Sequence, residues 1–158
     1  MTLFLAEARP GTTLVQYVGD RFARLEQFPA SAVQLMARVG IGAIFFKSGL
    51  TKIANWELTV MLFRDEYAVP VLPPHIAAFM GTAAELLCPV LLVLGLAARL
   101  ATLPLLAMTF VIQIFVYPEN WAEHLSWATL LLLVLTRGAG ALSLDHLVAG
   151  ALRRRGAM

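Results

Sequence analysis

The sequence predicts an all-α integral membrane protein: a four-transmembrane-helix bundle with cytoplasmic surface helices at its N- and C-terminal ends. Three observations carry this. Four apolar stretches, three of them about twenty residues long, are separated by polar or proline-bearing breaks. Apolar residues make up 59% of the chain and charged ones 14%, with a mean hydropathy of +0.77, whereas a soluble domain is roughly a quarter charged. Finally, Glu85 stands near the middle of an apolar run, where a carboxylate is costly unless it has a partner, a proton or a water-filled pocket.

The elements follow in order. Residues 1–32 form an N-terminal amphipathic surface segment, in which Leu14, Val18, Phe22 and Leu25 recur at helical spacing until Pro29 ends the pattern. The bundle covers 33–136. Span one, 33–53, is roughly 31 Å long at 1.5 Å per residue, enough for the hydrocarbon core. Its glycine stripe, Gly42 and Gly49 beside Arg38, Phe45 and Lys52, marks the packing face, and Lys47 lies opposite Arg38. Asn55 caps a short interfacial helix through Tyr67, and Pro70, Pro73 and Pro74 hold the following linker extended. Span two is 75–96 and span three 99–117, joined by a turn near Gly95 tight enough to make them antiparallel neighbours. Span four, 124–136, is short unless Trp121 and Ala122 join it. In the C-terminal tail, 137–158, Gly138-Ala139-Gly140 breaks the chain and Ser143 or Asp145 starts a last surface helix ending in Arg153, Arg154 and Arg155.

Several classes are excluded. A net charge of +2 and a pI near 9.0 accompany no continuous basic stripe, so nucleic acid is not the partner; the lipid bilayer is. The single cysteine, Cys88, permits neither an intrachain disulfide nor a CxxC pair, and Met1–Glu7 lacks the basic start of a cleavable signal peptide. Lys and Arg cluster on the side that holds both termini and the Arg99 turn, leaving Arg64 alone on the other, so both termini are expected in the cytoplasm. Trp56, Trp121, Trp127, Tyr67 and Tyr117 then form an aromatic belt at the outer boundary.

The candidate site centres on Glu85. Its helical face carries Ala78, Gly81, Thr82, Cys88 and Pro89, mostly small, so it is expected to point at neighbouring helices; Pro89 also frees the Glu85 carbonyl of its helical donor. By depth, Glu85 lies about 15 Å below the outer boundary, Lys47 about 9 Å and Lys52 about 2 Å. Lys52 has the better face and Lys47 the better depth; Lys52 is favoured as the partner. Arg38 is near Glu85 in depth but leans toward the cytoplasmic headgroups, so it and Lys47 also read as snorkelling residues. Gln113 shares a stripe with Thr102 and Thr109, and Tyr117 and His124 stand at the outer mouth. The expected site is a cavity with Glu85 and Lys52 as the catalytic pair and Arg38, Gln113, Tyr117 and His124 as ligand-binding residues. His75 and His124 with Glu119 and Glu123 lack tight ligand spacing, so no metal is expected.

The ordered set Arg38-Val-Gly40 through Gly49-Leu-Thr-Lys52, then Glu85-Leu-Leu-Cys-Pro89 through Gly95 and Arg99, then Gly138-Ala-Gly140 through Ser143-Leu-Asp145, resembles the DoxX family of small four-span membrane proteins over about residues 33–148. Gly49, Lys52, Glu85, Gly95, Arg99, Ser143 and Asp145 fall on the family pattern; Lys47 does not, and Gly138-Ala139-Gly140 replaces the frequent Gly-Pro-Gly. The resemblance implies a multi-pass bacterial inner-membrane protein associated with redox complexes, since the family name comes from a terminal quinol oxidase and thiosulfate-oxidising system. The residues themselves supply no haem, flavin or nicotinamide motif. The leading expectation is an accessory subunit that binds a quinone or similar small molecule, with electrons from a partner protein; a homo-oligomer is also allowed. The rival is a non-enzymatic transporter or assembly component whose ion pair is structural.

Overall fold

The computed structural model describes residues 28–68 and 70–155, together with Phe22. The surface helix expected over Thr12–Phe28 therefore lies outside the described residues, apart from Phe22 and Phe28. Six α-helices follow: α1 (Ala30–Ala54), α2 (Trp56–Asp65), α3 (Pro74–Leu94), α4 (Ala98–Val111), α5 (Trp121–Arg137) and α6 (Leu144–Arg155). A π-helical turn, Ile112–Val116, prolongs α4, and a 3-10 turn, Pro118–Asn120, leads into α5. Among the described residues, three helices are long and apolar enough to cross a bilayer: Ala30–Ala54, Pro74–Leu94 and Ala98–Val116. The stretch read as span four corresponds to α5, which takes in Trp121 and Ala122 and reaches 17 residues.

Local chemistry sets the boundaries. Asn55 accepts from the Leu58 N–H at 3.0 Å and so caps α2, while Pro74 opens α3 at a position where a missing N–H costs nothing. Gly95, at φ +66°, ends α3 in a Schellman turn: its N–H meets the Leu92 carbonyl at 3.0 Å and the Leu96 N–H meets that of Leu91 at 2.9 Å.

Helices α1, α3, α4 and α5 pack in a ring, α1 on α3, α3 on α4, α4 on α5 and α5 back on α1. Its centre holds Ile41, Phe45, Leu92, Leu105, Leu131 and Val134, all essentially inaccessible. The outward faces expose Met36, Phe79, Leu87, Leu100 and Phe110, an apolar exterior suited to lipid rather than water. Small residues let α1 and α3 approach: a Cβ on Gly42 would sit 3.2 Å from Val93 Cγ2 and 3.6 Å from the Pro89 carbonyl oxygen.

Arg38 corrects one expectation. It does not lean out to headgroups; it is fully buried, and its guanidinium donates to the Leu92 and Val93 carbonyls, both at 3.1 Å, and to the Leu142 carbonyl at 2.5 Å. These carbonyls belong to the last turn of α3 and to the segment before α6. Burial wins over snorkelling because the last turn of α3 ends there with carbonyls whose accepting capacity is not filled, the Gly95 N–H occupying only one site on Leu92.

Ser143 and Asp145 complete the same end. Ser143 Oγ accepts from the His146 N–H at 3.2 Å and donates to the Gly140 carbonyl at 2.6 Å, which caps α6. The Asp145 carboxylate instead accepts from the Ala97 and Ala98 N–H groups, at 2.7 and 3.2 Å, and its own N–H donates to the Gly95 carbonyl at 2.9 Å. Helix α4 has no cap of its own, and an acid from 48 residues on supplies one where the helix dipole favours negative charge.

Arg38→Met is expected to lower unfolding stability by about 2–4 kcal/mol, since it strands buried carbonyls. Lys47→Met, at an exposed position, should stay within about 0.5 kcal/mol. Thermal or denaturant unfolding of the two variants in one detergent checks the contrast.

Candidate functional site

The geometry around Glu85 is set by the crossing of α1 and α3. Gly49 faces α3 so closely that a Cβ there would meet Leu86 Cγ at 2.9 Å and Glu85 Cβ at 3.1 Å. One turn on, Lys52 is thereby brought to Glu85: its Nζ lies 2.5 Å from Oε1 and 2.6 Å from Oε2. Ser48, one turn before Lys52, accepts from Nζ at 3.0 Å and donates to Glu85 Oε1 at 3.2 Å. The Glu85 side chain is 3% exposed and that of Lys52 14%. All three ammonium donors are engaged, two on the carboxylate and one on the hydroxyl. Lys47, the other candidate partner, is exposed and takes no part.

Beside this pair lies a cavity of about 540 Å³, a volume within the range of small-molecule sites. Lys52, Ser48 and Glu85 form one polar part of its wall. Tyr67, Tyr117, Asn120 and His124 contribute others, and most of the rest is apolar, with Phe45, Phe63, Met80, Met108 and Trp127 prominent. Helix α2 closes over α3, with Phe63 against Gly81, and Thr59 Oγ1 ties it down by donating to the Lys52 carbonyl at 2.8 Å.

The sequence-derived candidates fall into three groups. Glu85, Lys52, Tyr117 and His124 all border the cavity. Gln113 stands behind it: its Nε2 donates to the Pro118 carbonyl at 2.8 Å and its Oε1 lies 2.7 Å from His124 Nδ1. Arg38 is apart from both, in the knot that ties α3 to the segment before α6. Tyr117 donates its hydroxyl proton to Glu66.

Three lining residues escaped sequence reasoning. Ser48 is one of three hydroxyls in an apolar helix, with Ser31 and Thr51; its spacing of four from Lys52 is the signal that would have found it. Tyr67 and Trp127 read only as interfacial anchors, yet Tyr67 packs edge-on to Tyr117 at 6.2 Å and Trp127 edge-on to His124 at 5.1 Å.

Gly49→Ala is expected to cost about 1–3 kcal/mol of stability, because the added methyl pushes on Leu86 and the Glu85 stem. Gly40→Ala, where a Cβ meets nothing within 4 Å, should be neutral or slightly stabilising. Unfolding midpoints of the pair decide it; equal behaviour would count against a tight crossing.

The family model for DoxX matches residues 33–118, a stretch that contains both members of the ion pair together with Arg38, Gln113 and Tyr117. A protein of Haemophilus influenzae, named only as uncharacterized, is 29% identical over 126 residues, which cover 72% of this chain and 82% of that protein. No solved structure matches the chain. The family model takes in more than half of the sequence, so the chain belongs to the DoxX family.

Proposed function

We propose that this DoxX family membrane protein is a subunit of a redox complex in the bacterial inner membrane, where its Glu85-centred cavity binds a quinone or a similar small molecule. The observation that supports this most is the pairing of a largely apolar space of about 540 Å³ with a carboxylate and ammonium in its wall. An aromatic ring and tail would fill the apolar part, and a polar ring substituent would reach the ion pair. In this reading Glu85 accepts or releases the proton that accompanies electron transfer, and Lys52, whose protons stay with Glu85 and Ser48, acts on the oxygen only through its positive charge. Electrons come from a partner protein, because the chain carries no motif for a redox centre of its own.

In the proposed topology α5 is a fourth span, stretched to 17 residues by Trp121 and Ala122, and 137–155 lies on the cytoplasmic side. Arg99 and Arg137 favour that orientation: they meet at one end of the bundle, where Arg99 Nη2 donates to the Thr136 carbonyl at 3.4 Å, and Arg153 and Arg154 follow on α6.

A second reading has a specific observation in its favour. The Lys52 donors are all consumed within the protein, and the pair sits beside the close α1–α3 approach at Gly49, which is what a register-fixing ion pair in a transporter or assembly component needs.

Glu85→Gln separates the two. Under the first reading, unaltered protein purified from its native membrane yields an extractable redox-active aromatic, and Glu85→Gln, though less stable because Lys52 loses its counter-charge, still folds at low temperature and no longer carries that ligand. A ligand-free preparation of the unaltered protein at full stability, or a folded variant that retains the ligand, favours the purely structural pair.

A further inference from the structure

The cavity wall fixes the hydrogen-bonding sense of His124, and with it the kind of ligand the site accepts. The Pro118 carbonyl can only accept, so the Gln113 group 2.8 Å from it is the amide nitrogen. The other end of that amide, the oxygen, therefore faces His124 Nδ1 at 2.7 Å and takes a proton from it. With the proton on Nδ1, the neutral ring presents Nε2 as a bare acceptor. His124 is 3% exposed, and Nε2 has no partner among the described residues. Among those residues, the fully enclosed side-chain polar atoms without a partner are Arg38 Nε and Thr82 Oγ1, so His124 Nε2 borders open space, and the space that His124 lines is the cavity. Trp127, edge-on at 5.1 Å and itself backed by Phe45 at 5.5 Å, holds the ring in place.

We infer that the cavity selects a ligand that donates a hydrogen bond to His124 Nε2: a phenol-type hydroxyl on an apolar or aromatic body. Gln113 is the positioning residue that fixes the tautomer. This rests on the cavity being a ligand site and narrows the class: an oxidised quinone, which has only acceptors, meets His124 acceptor to acceptor, whereas a hydroxyl does not. Lys52 does not reverse the preference, since its three protons are held by Glu85 and Ser48.

The test compares a para-alkylphenol with its methyl ether of equal chain length, titrated above neutral pH into the full-length protein in detergent. Tryptophan fluorescence follows binding, because Trp127 lines the site. The phenol is expected to bind about tenfold tighter than the ether, the ratio that one buried hydrogen bond supplies. His124→Phe should bring the ratio to about one. Gln113→Leu should shrink the ratio while leaving the ether's affinity unchanged, which a merely structural role would not do. Equal affinities in the unaltered protein, or a ratio that survives His124→Phe, overturn the selectivity and leave the cavity reading standing. A ratio untouched by Gln113→Leu overturns the positioning role. If neither probe binds, the cavity reading falls and takes this inference with it.

Discussion

An ammonium and a carboxylate held together between two apolar helices constrain the rest of this molecule. Neither ion is affordable alone at such burial, so α1 and α3 must cross where Lys52 and Glu85 meet, and they can cross there only because Gly49 has no side chain. The face of α3 that bears Glu85 is then committed to the bundle interior, which leaves Leu87 and Phe79 to face outward. The cavity is a consequence of the same crossing. Side chains next to the pair are small on α3, at Gly81 and Ala84, and α4 and α5 stand off far enough to leave the space that Trp127 and Met108 line.

The two ends of the bundle do different work. At one end, polar groups are spent on backbone: Arg38 takes three carbonyls, Asp145 takes two N–H groups and Ser143 caps α6. Such a knot fixes where α1, the α3–α4 turn and α6 sit relative to one another and leaves little polar capacity for a ligand. At the other end, side chains bond mainly with side chains, Lys52 with Glu85 and Ser48, His124 with Gln113, Tyr117 with Glu66, and these surround the space. Rigidity at the first end lets weaker groups hold their positions at the second.

Much of this was legible in the sequence, for identifiable reasons. Long apolar runs punctuated by Pro74, Gly95 and Gly138 fixed the helices, because length and breakers dominate when nearly every residue between them is apolar. The Lys52–Glu85 contact was legible from the helical face and the family pattern, whereas depth alone favoured Lys47; the long lysine side chain makes up the difference in depth. Arg38 was not, since its partners are backbone carbonyls, which no residue type announces. Gln113 was misplaced by a smaller effect: the chain changes from α to π geometry after Val111, so a wheel drawn at 100° per residue loses register there, and the side chain turns to Pro118 and His124 instead of the cavity. Asp145 was read as a possible start of the last helix and as a family position; Ser143 takes that cap, and nothing in the spacing of Asp145 says that it caps a helix begun 47 residues earlier.

The central claim, that a buried ion pair fixes the α1–α3 crossing, is tested most directly by a double-mutant cycle on unfolding free energy with Lys52→Met, Glu85→Met and both together. The account predicts that each single change costs about 3 kcal/mol, because it strands a charge, and that the double change costs less than either. Single losses that add to within about 0.5 kcal/mol in the double variant would contradict it, since the two groups would then be independent.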